Sequence, residues 1–254
     1  AGRDALLIAP TGGGKTPAGV LPSLIAPATG AAANTPRGVP TPYISPLKAL
    51  AADIRRNLLM PVAELRLPVR IEDRTADTPA RQKARQRVDP PQILLTTPES
   101  LALLLSFPEA GRMFAGLRRV VLDEIHALAE SKRGDQLMLG LARLRGLAPG
   151  LRVTGLSATV ENPQALASFM GAGGAPVPVI LADPGPEPDI AMLPTRAAPP
   201  WAGAGGRFAA RDVLELIARH RTTLVFINTR AQAELFFQAL WAVNDDNLPI
   251  GLHH

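Results

Sequence analysis

Two stretches of the chain hold residue types that do chemistry when brought together. The first is Pro10-Thr11-Gly12-Gly13-Gly14-Lys15-Thr16, directly after the apolar run Leu6-Leu7-Ile8-Ala9. Glycines take positive backbone dihedrals freely, and successive N–H groups in such a loop converge on an anion. A helix starting near Gly14 adds the partial positive charge of its N-terminus. In that arrangement Lys15 reaches the outer phosphates of a nucleotide and the Thr16 hydroxyl holds Mg2+, so Pro10 to Thr16 are the expected ATP-binding residues. The second stretch is Asp123-Glu124-Ile125-His126, about a hundred residues later and again directly after an apolar run, Val120-Val121-Leu122. Phosphoryl transfer divides its labour between a carboxylate that holds the metal, here Asp123, and a group that orients the attacking water, here Glu124. An Asp-Glu pair on its own often does no more than cap a helix. Placed after the glycine loop with strand-helix units between, it becomes specific.

A third stretch, Gly155-Leu156-Ser157-Ala158-Thr159, ends the next apolar run. Its hydroxyls emerge where Asp123 and Glu124 do, so Ser157 and Thr159 are expected to hydrogen-bond His126 and relay the state of the nucleotide. Lys15, Asp123, Glu124 and His126 form the expected catalytic set.

Such residues need a scaffold that delivers several loops to one edge. Short apolar segments predict strands at residues 43–45, 69–74, 92–96, 119–122, 151–157 and 177–181. Between them, helices are expected at 14–25, at 46–65 with a break at Pro61, and at 78–87, 98–105, 134–144 and 163–170. This alternation predicts an α/β fold with a mostly parallel sheet covered by helices on both faces, and in such sheets ligands bind at the carboxyl ends of the strands. Residues 1–182 make the first domain. Residues 183–210 turn to Pro, Gly and Ala and read as an inter-domain linker. Residues 211–254 then begin a second alternating unit, with a helix at 211–219, a strand at 223–228 and a helix at 231–243. One strand-helix pair cannot bury its own core, so this second domain is expected to be truncated.

Composition narrows the classes. No apolar run approaches the roughly 18 residues that span a bilayer, and the chain has no cysteine, which removes disulfides and thiolate metal sites and fits a cytoplasmic protein. The formal charge of +5 is carried mostly by arginine and favours a polyanionic partner. With only seven Phe, two Trp and one Tyr, base stacking is not expected to dominate that contact.

In order and spacing, Ala9–Thr16, Asp123–His126 and Ser157–Thr159 resemble motifs I, II and III of superfamily 2 DExH-box helicases. The likeness continues through Tyr43-Ile44-Ser45-Pro46-Leu47-Lys48-Ala49-Leu50 (motif Ia), Thr96-Thr97-Pro98-Glu99-Ser100-Leu101 (motif Ib) and Leu224-Val225-Phe226-Ile227-Asn228-Thr229-Arg230 (motif IV). Lys132-Arg133-Gly134 after the acidic box makes it most similar to the large helicase-related (Lhr) family, and there to the bacterial ligase-associated DNA damage response helicases. The resemblance implies two RecA-like domains and an ATP- and Mg2+-dependent motor that moves 3' to 5' on single-stranded DNA and unwinds partly duplex DNA in repair. Ser45, Lys48, Thr97 and Glu99 would then lie on the sugar-phosphate backbone, with Asn228, Thr229 and Arg230 added from the second domain. It further implies a monomer associated with the bacterial nucleoid, with DNA ligase and nuclease as repair partners. An RNA-remodelling ATPase of the same build, or a nucleotide-binding module without turnover, are the alternatives. Two departures stand out: Pro17 pushes Thr16 away from helical dihedrals, and Ala76 stands where the family has glycine.

Overall fold

The computed structural model describes residues 3–10, 12–28, 38–183, 185, 187–201 and 206–253. They divide into two compact units, Ala1–Pro186 and Glu187–His254.

In the first unit the elements run β1 (Ala5–Ile8), α1 (Lys15–Ala28), β2 (Thr41–Ile44), α2 (Lys48–Glu64), β3 (Ile71–Arg74), α3 (Ala80–Val88), β4 (Ile93–Thr96), α4 (Pro98–Ser106) and α5 (Ala110–Met113), and continue with β5 (Arg119–Leu122), α6 (Lys132–Leu147), β6 (Arg152–Ser157), α7 (Pro163–Met170) and β7 (Val179–Leu181). The strands form one seven-stranded sheet in the order β3-β4-β2-β5-β6-β1-β7, and every pair is parallel. Consecutive side chains on each strand serve opposite faces. Ile44, Leu94, Val120, Leu122 and Val153 meet α4, α6 and α7 through Leu101, Leu105, Leu141, Leu144 and Met170. Tyr43, Leu95, Val121 and Leu156 meet α1 and α2 through Val20, Leu24, Ile54, Leu58 and Val62. Burial on both faces is why the central strands read as continuous apolar runs.

The predicted doubly covered parallel sheet is the observed one, and its parts shift locally. Helix α2 runs unbroken through Pro61, whose carbonyl still accepts from Leu65 N–H (3.0 Å). Leu58 and Val62, on either side of the proline, hold that face on the sheet. The third strand starts at Ile71 because Val69 N–H is turned onto the Leu67 carbonyl (2.8 Å). Helix α6 starts two residues early, at Lys132, because Ser131 caps it and accepts from Gly134 N–H (3.2 Å). Pro17 sits in the first turn of α1, where its missing N–H has no partner to lose, and Thr16 is helical rather than displaced as the proline predicts.

In the second unit, α8 (Ala210–Arg219) and α9 (Arg230–Trp241) pack around Ala210, Phe236 and Leu240. Residues 187–201, expected as linker, belong to this unit: the Arg196 guanidinium holds Glu215 (2.6 Å), and the Arg196 backbone N–H donates to Asp212 (3.3 Å). The strand expected at 223–228 does not form. Among the described residues no strand pairs with it, and a lone strand leaves its N–H and C=O groups to solvent.

Candidate active site

Strands β5, β6 and β1 are neighbours, and the three chemistry-bearing stretches leave their carboxyl ends side by side. At the end of β1, Ala9 N–H donates to the Ser157 carbonyl (3.2 Å), which ties the glycine loop to the loop after β6. Gly13 N–H closes a turn on Pro10 O (3.0 Å), while Gly12 and Gly14 stand at φ +83° and +74°, backbone that a side chain rarely allows. Lys15 is buried in the loop's mouth, where Nζ donates to the carbonyls of Ala9 (2.8 Å) and Pro10 (3.3 Å). An anionic phosphate oxygen is a stronger acceptor than either carbonyl, so the ammonium is poised to exchange partners. Thr11 lies outside the described residues.

Asp123 continues β5 by one residue, its N–H donating to Ile44 O (2.8 Å). Its carboxylate is buried and accepts from Glu124 N–H (3.0 Å). Burial pushes the carboxyl above the ordinary carboxylate range, and the neighbouring Tyr43 hydroxyl, Glu124 amide and Lys15 ammonium oppose that push. Glu124 has left-handed dihedrals (φ 46°, ψ 42°), a strain of about 1–3 kcal/mol for a residue with a side chain. That backbone turn carries the Glu124 carboxylate to His126, whose Nε2 lies 3.3 Å away. On the other side of the ring, Nδ1 lies 3.1 Å from Ser157 Oγ and 3.4 Å from Ala158 N. Ser157 Oγ also donates to Ala158 O (2.8 Å), so the imidazole is held by Glu124 at Nε2 and by the Ser157-Ala158 segment at Nδ1. Thr159 does not join: β6 stops at Ser157, the chain leaves the strand, and Thr159 is exposed. The backbone of Ala158 takes the place expected for it.

The residues suit a small hard cation. Thr16 and Asp123 offer oxygen donors only, and among the described residues no cluster of three or more His, Cys, Asp or Glu forms a closed cage. Magnesium takes one or two protein oxygens and completes its octahedron with water and phosphate. The Tyr43 hydroxyl points the same way. Tyr43 is fully buried on β2, and its phenol neighbours Thr16 and Asp123, yet among the described residues it makes no hydrogen bond of good geometry. Burial, with the Asp123 carboxylate beside it, pushes that phenol far above its ordinary pKa, so it stays a donor. A buried donor without an acceptor costs about 1–3 kcal/mol, and a metal-bound water or phosphate oxygen would relieve it. The motif Ia likeness pointed at this stretch, but no spacing rule singled out the phenol.

Four of the residues expected on nucleic acid, Ser45, Lys48, Thr97 and Glu99, follow β2 and β4 at the same sheet edge, and several are already engaged. Ser45 is buried, with its hydroxyl on Leu47 O (3.4 Å). Thr97 is the N-cap of α4, accepting from Ser100 N–H (3.4 Å). Glu99 accepts from Arg133 Nε (2.5 Å), which holds its carboxyl below the ordinary range. Lys48 opens α2. Asn228, Thr229 and Arg230 lie in the second unit, where Thr229 caps α9. Arg133, which lay in the quoted Lys-Arg-Gly, drew no role from sequence, because its partners are remote in the chain.

Comparison with known proteins agrees with this geometry. The family model described as DEAD/DEAH box helicase matches residues 1–166. The chain is 38% identical to the ATP-dependent helicase Lhr-Core of Methanothermobacter thermautotrophicus, covering 92% of this chain and 29% of that protein. It is 36% identical to the Lhr helicase/uracil glycosylase of Escherichia coli, covering 91% and 17%. The solved Lhr helicase of Mycobacterium smegmatis, bound to single-stranded DNA and AMP-PNP, superposes with TM-score 0.73 at 34% identity over 96% of this chain and 32% of that one. The chain thus spans less than a third of the length of these relatives. With the matched model covering six of the seven strands and all three loops of the site, the chain belongs to the DEAD/DEAH box helicase family.

Proposed function

We propose that this chain holds the ATP-binding half of a DNA-dependent ATPase and helicase that moves 3' to 5' along single-stranded DNA. One observation carries the reading: at the edge formed by β1, β6 and β5, His126 joins the water-orienting carboxylate, Glu124, to the loop after β6. The glycine loop and Lys15 bind the phosphates, and Thr16 and Asp123 hold Mg2+, which supplies charge neutralisation on the phosphate oxygens. Glu124 orients the attacking water and draws on its proton. His126 holds Glu124 in place and senses its position, so a change at the phosphates moves the Ser157-Ala158 backbone. The opposing wall of the cleft, with the arginine that completes charge stabilisation, belongs to a complete second RecA-like domain.

DNA is favoured as the track because the M. smegmatis relative is described with single-stranded DNA and AMP-PNP. On the strength of its resemblance to ligase-associated helicases, we further propose that the motor works in bacterial DNA repair as a cytoplasmic monomer with ligase and nuclease partners. The test is the ATPase rate of the full-length protein with single-stranded DNA, duplex DNA and RNA at one salt concentration. Single-stranded DNA should stimulate most; equal stimulation by RNA of the same sequence would transfer the motor to RNA. In the same assay Glu124→Gln should lower turnover by about 10²–10⁴-fold while ATP still binds, and retained hydrolysis removes Glu124 from its role.

A further inference from the structure

Helix α6 begins close behind the acidic box, and its first turn is locked to it. Ser131 N–H and Oγ both donate to Leu128 O (3.0 and 2.8 Å). A Cβ on Gly134 would lie 2.1 Å from the same carbonyl, so only glycine lets the helix approach this closely. From that fixed turn Arg133 reaches across the sheet edge. Its Nε donates to Glu99 Oε1 on α4 (2.5 Å), and Nη2 donates to Pro46 O in the loop after β2 (2.8 Å). One guanidinium therefore spans three segments: the turn after Glu124 and His126, the start of α4, and the start of the loop into α2.

Stability does not account for this arrangement. Arg133 and Glu99 are 43% and 50% exposed, and exposed ion pairs contribute at most about 1 kcal/mol. Geometry does account for it, because the planar guanidinium directs its N–H groups to two acceptors at fixed angles, whereas the donors of a lysine ammonium rotate on a flexible stem. A free carboxylate at Glu99 would also repel a phosphodiester, and pairing removes that charge from the edge.

We propose that Arg133 is a positioning residue for single-stranded nucleic acid. Through Glu99 and the Pro46 carbonyl it sets the spacing between the two segments that hold the backbone, and it links that spacing to the turn bearing Glu124 and His126. This rests on the DNA reading above.

The test uses the full-length protein and a labelled oligo-dT, measuring affinity at several salt concentrations and the DNA concentration for half-maximal ATPase. Arg133→Ala and Glu99→Gln should each weaken DNA binding about tenfold, and the double variant should be no worse than the weaker single one. Arg133→Lys, which keeps the charge and loses the fork, should fall between wild type and Arg133→Ala. The slope of log affinity against log salt should match wild type. Tighter binding by Glu99→Gln, additive losses, or a slope reduced by about 0.7 in Arg133→Ala would overturn the proposal, the last because it marks a lost phosphate contact. Loss of nucleotide binding by both Arg133→Lys and Glu99→Gln would also overturn it, by assigning the tie to folding as a whole. A wild type that binds no DNA removes the DNA reading and this proposal together; wild-type binding with any of the other contrary results removes the proposal alone.

Discussion

Ile93-Leu94-Leu95-Thr96-Thr97 in the first unit and Leu224-Val225-Phe226-Ile227-Asn228-Thr229 in the second share one local pattern, an apolar run followed by a threonine that opens a helix. The threonines behave alike: Thr97 Oγ1 accepts from Ser100 N–H (3.4 Å) and Thr229 Oγ1 from Gln232 N–H (3.3 Å). The apolar runs do not. Residues 93–96 form β4, paired with β2 on one side and β3 on the other, and Leu94 and Leu95 are fully buried. Residues 224–228 pair with no strand among the described residues, leaving Leu224 75% and Phe226 89% exposed. A cap closes within four residues and needs only its own helix. A strand is a relation between segments, and apolar character alone does not create one.

Five substitutions probe that contrast, in order of falling effect. Leu95→Ala removes a side chain enclosed between sheet and helices and should cost the first unit about 2–5 kcal/mol in urea unfolding; a cost below 1 kcal/mol would mean the interior is not close-packed there. Thr97→Ala and Thr229→Ala should each cost about 1 kcal/mol, read from the unfolding of their own units. A cost confined to one of them would show that capping here depends on the sheet after all. Tyr43→Phe should raise the stability of the nucleotide-free protein by up to about 1 kcal/mol, since it deletes a buried donor without an acceptor. The same change should weaken Mg2+-dependent nucleotide binding, measured with a fluorescent ATP analogue, and an unchanged protein on both counts removes Tyr43 from the surroundings of the proposed Mg2+ site. Phe226→Ala should shift stability by less than about 0.5 kcal/mol; a large loss would reveal that the run is covered.

Much of the site was legible because its residues act at short range along the chain. The glycine loop has to be glycine at positions 12 and 14, where φ is positive, and Lys15 and Thr16 follow at the helix start. Asp123 and Glu124 were legible as carboxylates at the end of an apolar run, and His126 and Ser157 as their continuation. Other features depended on distance. Thr159 shares a strand face with Ser157 only if the strand continues, and β6 ends first. Pro61 marks a break in a sequence pattern, yet packing of Leu58 and Val62 carries α2 through it. Arg133 meets Glu99 and Pro46, respectively 34 and 87 positions away, so no periodicity connects them.

The sequence by itself determined the order of the strands in the first unit, the glycine loop and the caps, because propensity, glycine dihedrals and side-chain capping act within a few residues. Only the tertiary structure decided that β5, β6 and β1 stand side by side, that the Tyr43 hydroxyl is enclosed beside Thr16 and Asp123, and that residues 224–228 pair with no strand among the described residues. Strand pairing, burial and long-range hydrogen bonds are properties of which segments meet, and that is settled by the packing of the whole sheet between its two layers of helices.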